Sequence, residues 1–384
     1  MRYRCTVLTP LLVGDGQKLS PIDYMVWKDQ VNVLDQRRIF RLLAKGPRLD
    51  GYLAQLKKAD KLDFAAWGGF AQNFAGRRIP FEHPSSSACW ERARGESLHI
   101  PTFVTGHAGP YLPGSALKGA LRSGMLFAHW KGGALEGLDP LPGERISKPD
   151  GTTGAEARAL GEPGLSLMRA FGASDSEPVA VSALKIYLLR VSTLLPRGPG
   201  RFELGWKQAP RGAVEARKIE ESTPLFAEMA APGTVFEGSW RENSFLGQPH
   251  ILRALHWTGP VTTAAVLEAA NRCAADLLRV HRRYAAWAGL PLVDRHLAQL
   301  EARLEAARAR GNACLIALGW GSGLLAKTGW PETENPTYRS LLRESPLYAR
   351  VLESGLPFPK TRRIVFLANQ PAALPGWAWL EIVP

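Results

Sequence analysis

Cysteine is scarce in this chain of 384 residues. The four present, Cys5, Cys89, Cys273 and Cys314, lie far apart and form no Cys-x-x-Cys pair. Neither a structural zinc site nor a disulfide framework can be read from them. The eight histidines are equally scattered, and His281 with His296 lacks cysteine or carboxylate partners at metal-site spacing. No metal and no cofactor are therefore expected. Ser/His/Asp and Cys/His nucleophile arrangements leave no local signature. Long apolar runs are missing too. No stretch of about 18 apolar residues occurs, and the opening Met1-Arg-Tyr-Arg-Cys-Thr-Val has no continuous apolar segment of the signal-peptide kind. These absences predict a protein of the reduced cytoplasm, neither secreted nor membrane-spanning. No tandem repeat is visible.

Positive charge is in surplus. A formal net charge of +13 and a pI near 9.8 suggest a polyanionic partner, nucleic acid ahead of membrane. A hydrophobic fraction of 45% with 22% charged residues is ordinary for a globular chain. Its length favours two domains over one.

The stretch Tyr111-Leu-Pro-Gly-Ser-Ala-Leu-Lys-Gly-Ala-Leu-Arg122 reads as an extended segment, a Pro-Gly turn and a helix starting at Ser115 as N-cap. Leu117, Ala120, Leu121 and Met125 share one helical stripe. Ser115, Lys118 and Arg122 lie off it, beside the helix N-terminus. Gly114 allows close backbone approach, so a hydroxyl, two cations and free amides gather where an anion such as phosphate could bind. It is not a Walker loop, because no Gly-Lys-Ser/Thr closes it. An ordinary capped helix with solvated cations fits the same spacing.

Gly319-Trp-Gly-Ser-Gly323 is a second glycine cluster, with Lys327 one turn further on. No following βαβ unit or ribose-binding acid supports a dinucleotide site. Gly319, Gly321 and Gly323, with Ser322, would let main-chain amides approach phosphate; a tight strand-to-helix turn is the plainer reading. Pro359-Lys-Thr-Arg-Arg363 places Lys360, Arg362 and Arg363 on extended backbone. These cations suit an RNA backbone, an acidic neighbour or plain solvation. Arg272, Arg279, Arg282 and Arg283 on one long helix read as a solvated face.

Strands are expected over residues 1–8, in a pair within 25–34 turning at Lys28-Asp29-Gln30, and over 98–104, 179–191, 224–229, 234–240, 313–318, 362–367 and 377–383. Helices are expected over 37–56, 262–287 and 292–310. Residues 131–164 read as a loop insertion, and Leu195-Pro-Arg-Gly-Pro-Gly-Arg201 as a boundary between domains 1–195 and 205–384. Interleaved strands and helices give an α+β class.

The 111–122 stretch resembles the Pro-Gly-Ser-Ser-Leu-Lys-Gly-x-Leu-Arg signature of the RAMP superfamily, proteins of CRISPR ribonucleoprotein complexes. Leu8 to Gly16, Pro21 to Val26 and Val33 to Asp35 resemble the opening of its fifth-subunit family from type III-A (Csm) effectors. Leu167-Met-Arg-Ala-Phe-Gly-Ala-Ser-Asp-Ser176, Gly319 to Thr328 and Phe358 to Arg363 also fit, in consistent order along the chain. The resemblance implies two ferredoxin-like (RRM-like) domains with helical and loop insertions. It also implies a crRNA-binding cap that holds the 3′ part of the crRNA and supports crRNA maturation and antiviral RNA-guided interference. The implied partners are crRNA, target RNA, an adjacent RAMP backbone subunit and the small helical subunit of the Csm complex, with no membrane. RNA contact is then expected at Gly114, Ser115, Lys118, Arg122, Gly319, Gly321, Ser322, Gly323, Lys327, Lys360, Arg362 and Arg363.

No catalytic residue is expected. Ile22-Asp-Tyr-Met-Val26 resembles the place where RAMP backbone subunits carry a cleavage aspartate. Asp23, without a partner acid, reads as structural or RNA-adjacent. Repeat-processing relatives use an early histidine, and none precedes His83 here. A metal-dependent ribonuclease using Asp23, or a type III-B capping subunit, is the alternative.

Overall fold

The computed structural model describes residues 1–44, 48–58, 61–62, 74–131, 154–198, 200–208, 215–344 and 346–384. The fold is mixed α/β and built on antiparallel sheets. One sheet has five strands in the order Ala313–Ala317, Trp377–Val383, Arg2–Val7, Val235–Glu242 and Phe171–Ala173. The opening strand Arg2–Val7 and the closing strand Trp377–Val383 lie side by side at its centre. Arg2–Val7 alternates exposed and buried residues, with Tyr3, Cys5 and Val7 turned into the core.

The second sheet forms around the long strand Leu184–Gly198. Its first half pairs with Leu225–Ala230, its second half with Arg201–Lys207, and its other edge with Thr361–Leu367. The Leu195–Arg201 break is thus the turn of a hairpin, with Ser192 opposite Trp206. Each large sheet draws strands from both sides of the boundary expected near 195–205.

A smaller three-stranded lobe contains Tyr24–Trp27, Gln30–Leu34 and Ala75–Pro80. Its first turn falls at Lys28 (φ 48°) and Asp29 (φ 56°). Two consecutive positive φ angles make it a type I′ hairpin, whose twist matches the strands it joins. The single helix expected over 37–56 is two, Gln36–Leu43 and Arg48–Lys58. Asp35 caps the first by accepting from Arg38 N at 3.0 Å. Most of the insertion expected over 131–164 lies outside the described residues; Gly154–Leu160 is helical.

Helix Thr263–Ala288 ties the two large sheets together. Val266, Leu267 and Ala270 enter one core, while Leu277, Leu278 and Ala285 enter the other. Its start is capped by Thr262, and its end passes into Gly289 at φ 63°. Helix Pro291–Arg310 follows, burying Leu297, Leu300 and Leu304, which recur three and four residues apart on one face. The arginines of the long helix are taken up in ion pairs. Arg282 reaches both Asp294 and Glu301, Arg279 reaches Asp276, and Arg272 reaches Glu268. No helix among the described residues is long and apolar enough to cross a membrane, and all four cysteines are buried and free.

Candidate nucleic-acid interface

The signature helix runs Gly114–Lys131, with Leu117, Leu121, Phe127 and Trp130 buried. It begins one residue earlier than its sequence suggests. Pro113 O accepts from Ala116 N at 3.0 Å and Ser115 is exposed in the first turn, so Ser115 is not the N-cap. The anion at this N-terminus comes from inside the chain: Asp175 Oδ1 accepts from Gly114 N at 2.9 Å. Gly114 also fits tightly. A Cβ there would sit 2.2 Å from the carbonyl oxygen of Ala173.

Ser176 completes this clamp. Its Oγ accepts from Leu112 N and its own N donates to Leu112 O, both at 2.9 Å. The 111–122 and 167–176 motifs therefore fasten each other. Arg122 is turned to Glu156, 2.6 Å away. Lys118 is half-buried, its Nζ 5.6 Å from the centre of the Phe171 ring, and burial lowers its pKa. The signature region is internally satisfied rather than open.

The glycine loop behaves differently. Buried strand Ala313–Ala317 delivers the chain into Gly319, Gly321 and Gly323, all with φ between 78° and 91°. Gly319 is required twice over, by its φ and because a Cβ would meet Leu12 O at 2.3 Å. Gly321 faces Pro375 and Arg363, whereas Gly323 has open space where a Cβ would be. Ser322 Oγ closes the turn by donating to Gly319 O at 2.9 Å. Lys327 is exposed on the following helix Leu324–Thr328.

This loop forms one wall of a cleft of about 280 Å³. Pro359, Thr361, Arg362 and Arg363 form the facing wall, with Lys207 from the hairpin and His281 from the long helix. No carboxylate is among the residues that line it. Lys360 flanks the cleft, its carbonyl accepting from Leu194 N at 3.0 Å. Two of the three expected RNA-contact segments are thereby brought together. The signature residues Gly114, Ser115, Lys118 and Arg122 do not line this space.

The two arginines are not equivalent. Arg362 is 8% exposed. Its Nε donates to His281 Nδ1 at 3.0 Å, and Nη1 donates to the carbonyls of Pro359 and Thr361 at 2.8 Å. The guanidinium lies 4.5 Å over the Tyr284 ring. Burial lowers its pKa to about 10, so it stays charged at neutral pH. Arg362, one of the residues expected to contact RNA, is held in the cleft wall by these bonds. Arg363 stacks 4.7 Å over Trp320, and its buried Nε has no hydrogen-bond partner. Desolvation lowers its pKa too. A burdened cation with no carboxylate nearby gains from an incoming anion more than a solvated one does.

Sequence reasoning missed His281, Lys207 and Asp175. A lone helical histidine, a strand-end lysine and a loop aspartate carry no local signal; only the fold brings them to their sites. Asp23 holds the turn before it: its Oδ2 accepts from both N and Oγ of Ser20 at 2.7 Å. No group of three or more metal-ligating side chains forms among the described residues.

A family model described as the RAMP superfamily matches residues 4–249, well over half of the chain. The CRISPR system Cms protein Csm5 of Methanocaldococcus jannaschii is 21% identical over 174 residues. That match spans 42% of this chain and only 38% of the relative's own length. Two solved structures share the fold over 99% of this chain and 100% of theirs. One is a chain of the Csm–crRNA–target RNA ternary complex of a type III-A CRISPR-Cas system, with TM-score 0.66 and 20% identity. The other is Csm5 of T. onnurineus, with TM-score 0.57 and 18% identity.

Proposed function

The chain belongs to the RAMP superfamily, and from that premise we propose that it is a crRNA-binding, non-catalytic subunit of a type III-A CRISPR effector. In this reading it caps the end of the complex that holds the 3′ part of the crRNA and supports crRNA maturation. The observation that carries it is the cleft between the glycine loop and Pro359–Arg363, where Lys207, Arg362, Arg363 and the glycine main chain share the lining with apolar side chains such as Leu324, Leu374 and Trp377, and no carboxylate is present. Such a lining suits phosphodiester oxygens and is indifferent to base identity, as a subunit that must accept any spacer requires. The net charge of +13 and the likeness in fold to a chain of a Csm–crRNA–target RNA complex support the same reading. A RAMP backbone subunit, the small helical subunit and target RNA are the proposed neighbours. We also read the two large sheets as the cores of two ferredoxin-like halves exchanging edge strands. Asp23 is given no chemical step, because its carboxylate is committed to Ser20; Asp23→Ala should leave every target-RNA cleavage product of the assembled complex in place.

Salt dependence of RNA binding tests the site. Arg363→Ala, and separately Lys207→Ala, should weaken binding equally for unrelated RNA sequences. Each should flatten the slope of log affinity against log salt by about 0.7 per lost phosphate contact. Unchanged slopes in folded variants would remove RNA from the cleft.

A further inference from the structure

His281 is 4% exposed, and its ring borders the cleft. The Arg362 Nε that faces Nδ1 at 3.0 Å can only donate. Nδ1 therefore holds the lone pair, and the proton of the neutral ring is on Nε2. Among the described residues no protein atom accepts from Nε2; the ring's other close neighbour is Trp377, centroid to centroid 6.4 Å. An N–H of fixed direction is thus left without a partner at the wall of the cleft.

We propose that His281 is a neutral hydrogen-bond donor to an oxygen of the phosphodiester group held in this cleft, with Arg362 as the positioning residue that fixes its tautomer. The proposal rests on the RNA reading above and deepens it. Lys207 and Arg363 supply charge, which attracts an anion from any direction. A neutral N–H on a packed helix adds a direction without adding charge. Desolvation and the charge of Arg362 hold the imidazole pKa well below its ordinary range. The groups against the ring are Arg362 from strand Thr361–Leu367 and Trp377 from the closing strand, and Arg363 and Lys207 are the other charged residues that line the cleft. None is an acid that would favour an imidazolium.

The test is binding of two unrelated short single-stranded RNAs to the full chain between about pH 5 and 8. His281→Asn keeps an oxygen for Arg362 but does not reach the cleft. It should weaken both RNAs about 3- to 10-fold with an unchanged salt slope, since no charge is lost. His281→Gln, with its amide N–H nearer the place of Nε2, should stay within about twofold. Arg362→Met frees Nδ1, so RNA should then bind more tightly as pH falls, and adding His281→Asn should abolish that dependence. Unchanged affinity in His281→Asn, with Arg363→Ala still weakened, overturns the proposal and leaves the RNA reading standing. Unchanged affinity in both overturns the two together. Should His281→Asn not fold, a pH-independent Arg362→Met overturns the proposal by itself.

Discussion

The signature helix and the glycine-loop cleft carry the same kinds of residue, glycines beside cations, and the fold uses them in opposite ways. At the signature, Gly114 N meets Asp175, Arg122 meets Glu156, and Leu112 is bonded twice by Ser176. Those contacts are all made within the chain, while Lys118 has the Phe171 ring beside its ammonium. At the cleft, Arg363 keeps a buried Nε without a partner, Gly323 opens on empty space, and the lining residues include no carboxylate. Two motifs rich in glycine and basic residues thus differ in how far the rest of the chain supplies their partners.

The sharpest way to break that comparison is at Gly114. Gly114→Val places a branched side chain against the backbone of Ala173 and Ser174, which cannot move aside without unpairing Phe171–Ala173 from Val235–Glu242. A destabilisation of about 2–3 kcal/mol is expected in denaturant unfolding. RNA affinity per folded molecule should be unchanged. A folded variant with wild-type stability and weak RNA binding would return the signature to the binding surface.

Second in size is a pH effect from the cleft side. His281 has a folded pKa well below 6.5, so below about pH 6.5 the unfolded chain binds a proton that the native chain refuses. Stability then falls as pH drops through that range, with a limiting slope of about 1.4 kcal/mol per pH unit from this one group. In His281→Gln that component should vanish from the pH profile of unfolding. A wild-type profile in the variant would mean that the ring protonates freely in the native protein.

Sequence alone carried the elements whose signals are local. The hairpin turn at Lys28–Asp29, helices Thr263–Ala288 and Pro291–Arg310, and the strands at 313–317, 361–367 and 377–383 fall where periodicity and turn residues put them. The chain partners did not show. Asp175 is 61 residues from Gly114, so a spacing argument gave the cap to Ser115 instead. The run Pro359 to Arg363 reads as three exposed cations. Strand alternation and helix Thr263–Ala288 bury Arg362 against His281 and Tyr284 while Arg363 turns to Trp320. Leu195–Arg201 has the composition of a linker, and only the pairing of Ser192 with Trp206 makes it a hairpin. Legibility ended where a residue's role depended on a partner far along the chain.

Third, Asp175→Ala tests the internal anion directly. It removes the acceptor at Gly114 N and a negative charge at a helix N-terminus, at a cost of about 0.5–1 kcal/mol. Thermal unfolding should show the loss, and RNA affinity should not fall. If RNA instead bound more tightly, with a steeper salt slope, the vacated amide would be taking a phosphate in place of the carboxylate.

The smallest effect is expected at Arg122. Its pair with Glu156 is about one-third exposed on both sides, 33% and 32%. Solvent screening and the entropy of holding two long side chains leave such a pair about 0.2–1 kcal/mol. Arg122→Ala should therefore shift stability by less than the scatter of many unfolding measurements. The informative readout is the salt slope of RNA binding, which should match that of the unaltered chain, whereas Arg363→Ala lowers it. A drop of about 0.7 in Arg122→Ala would mean that the guanidinium leaves Glu156 for a phosphate when RNA arrives. The contrast between a closed signature and an open cleft would then hold only for the free protein.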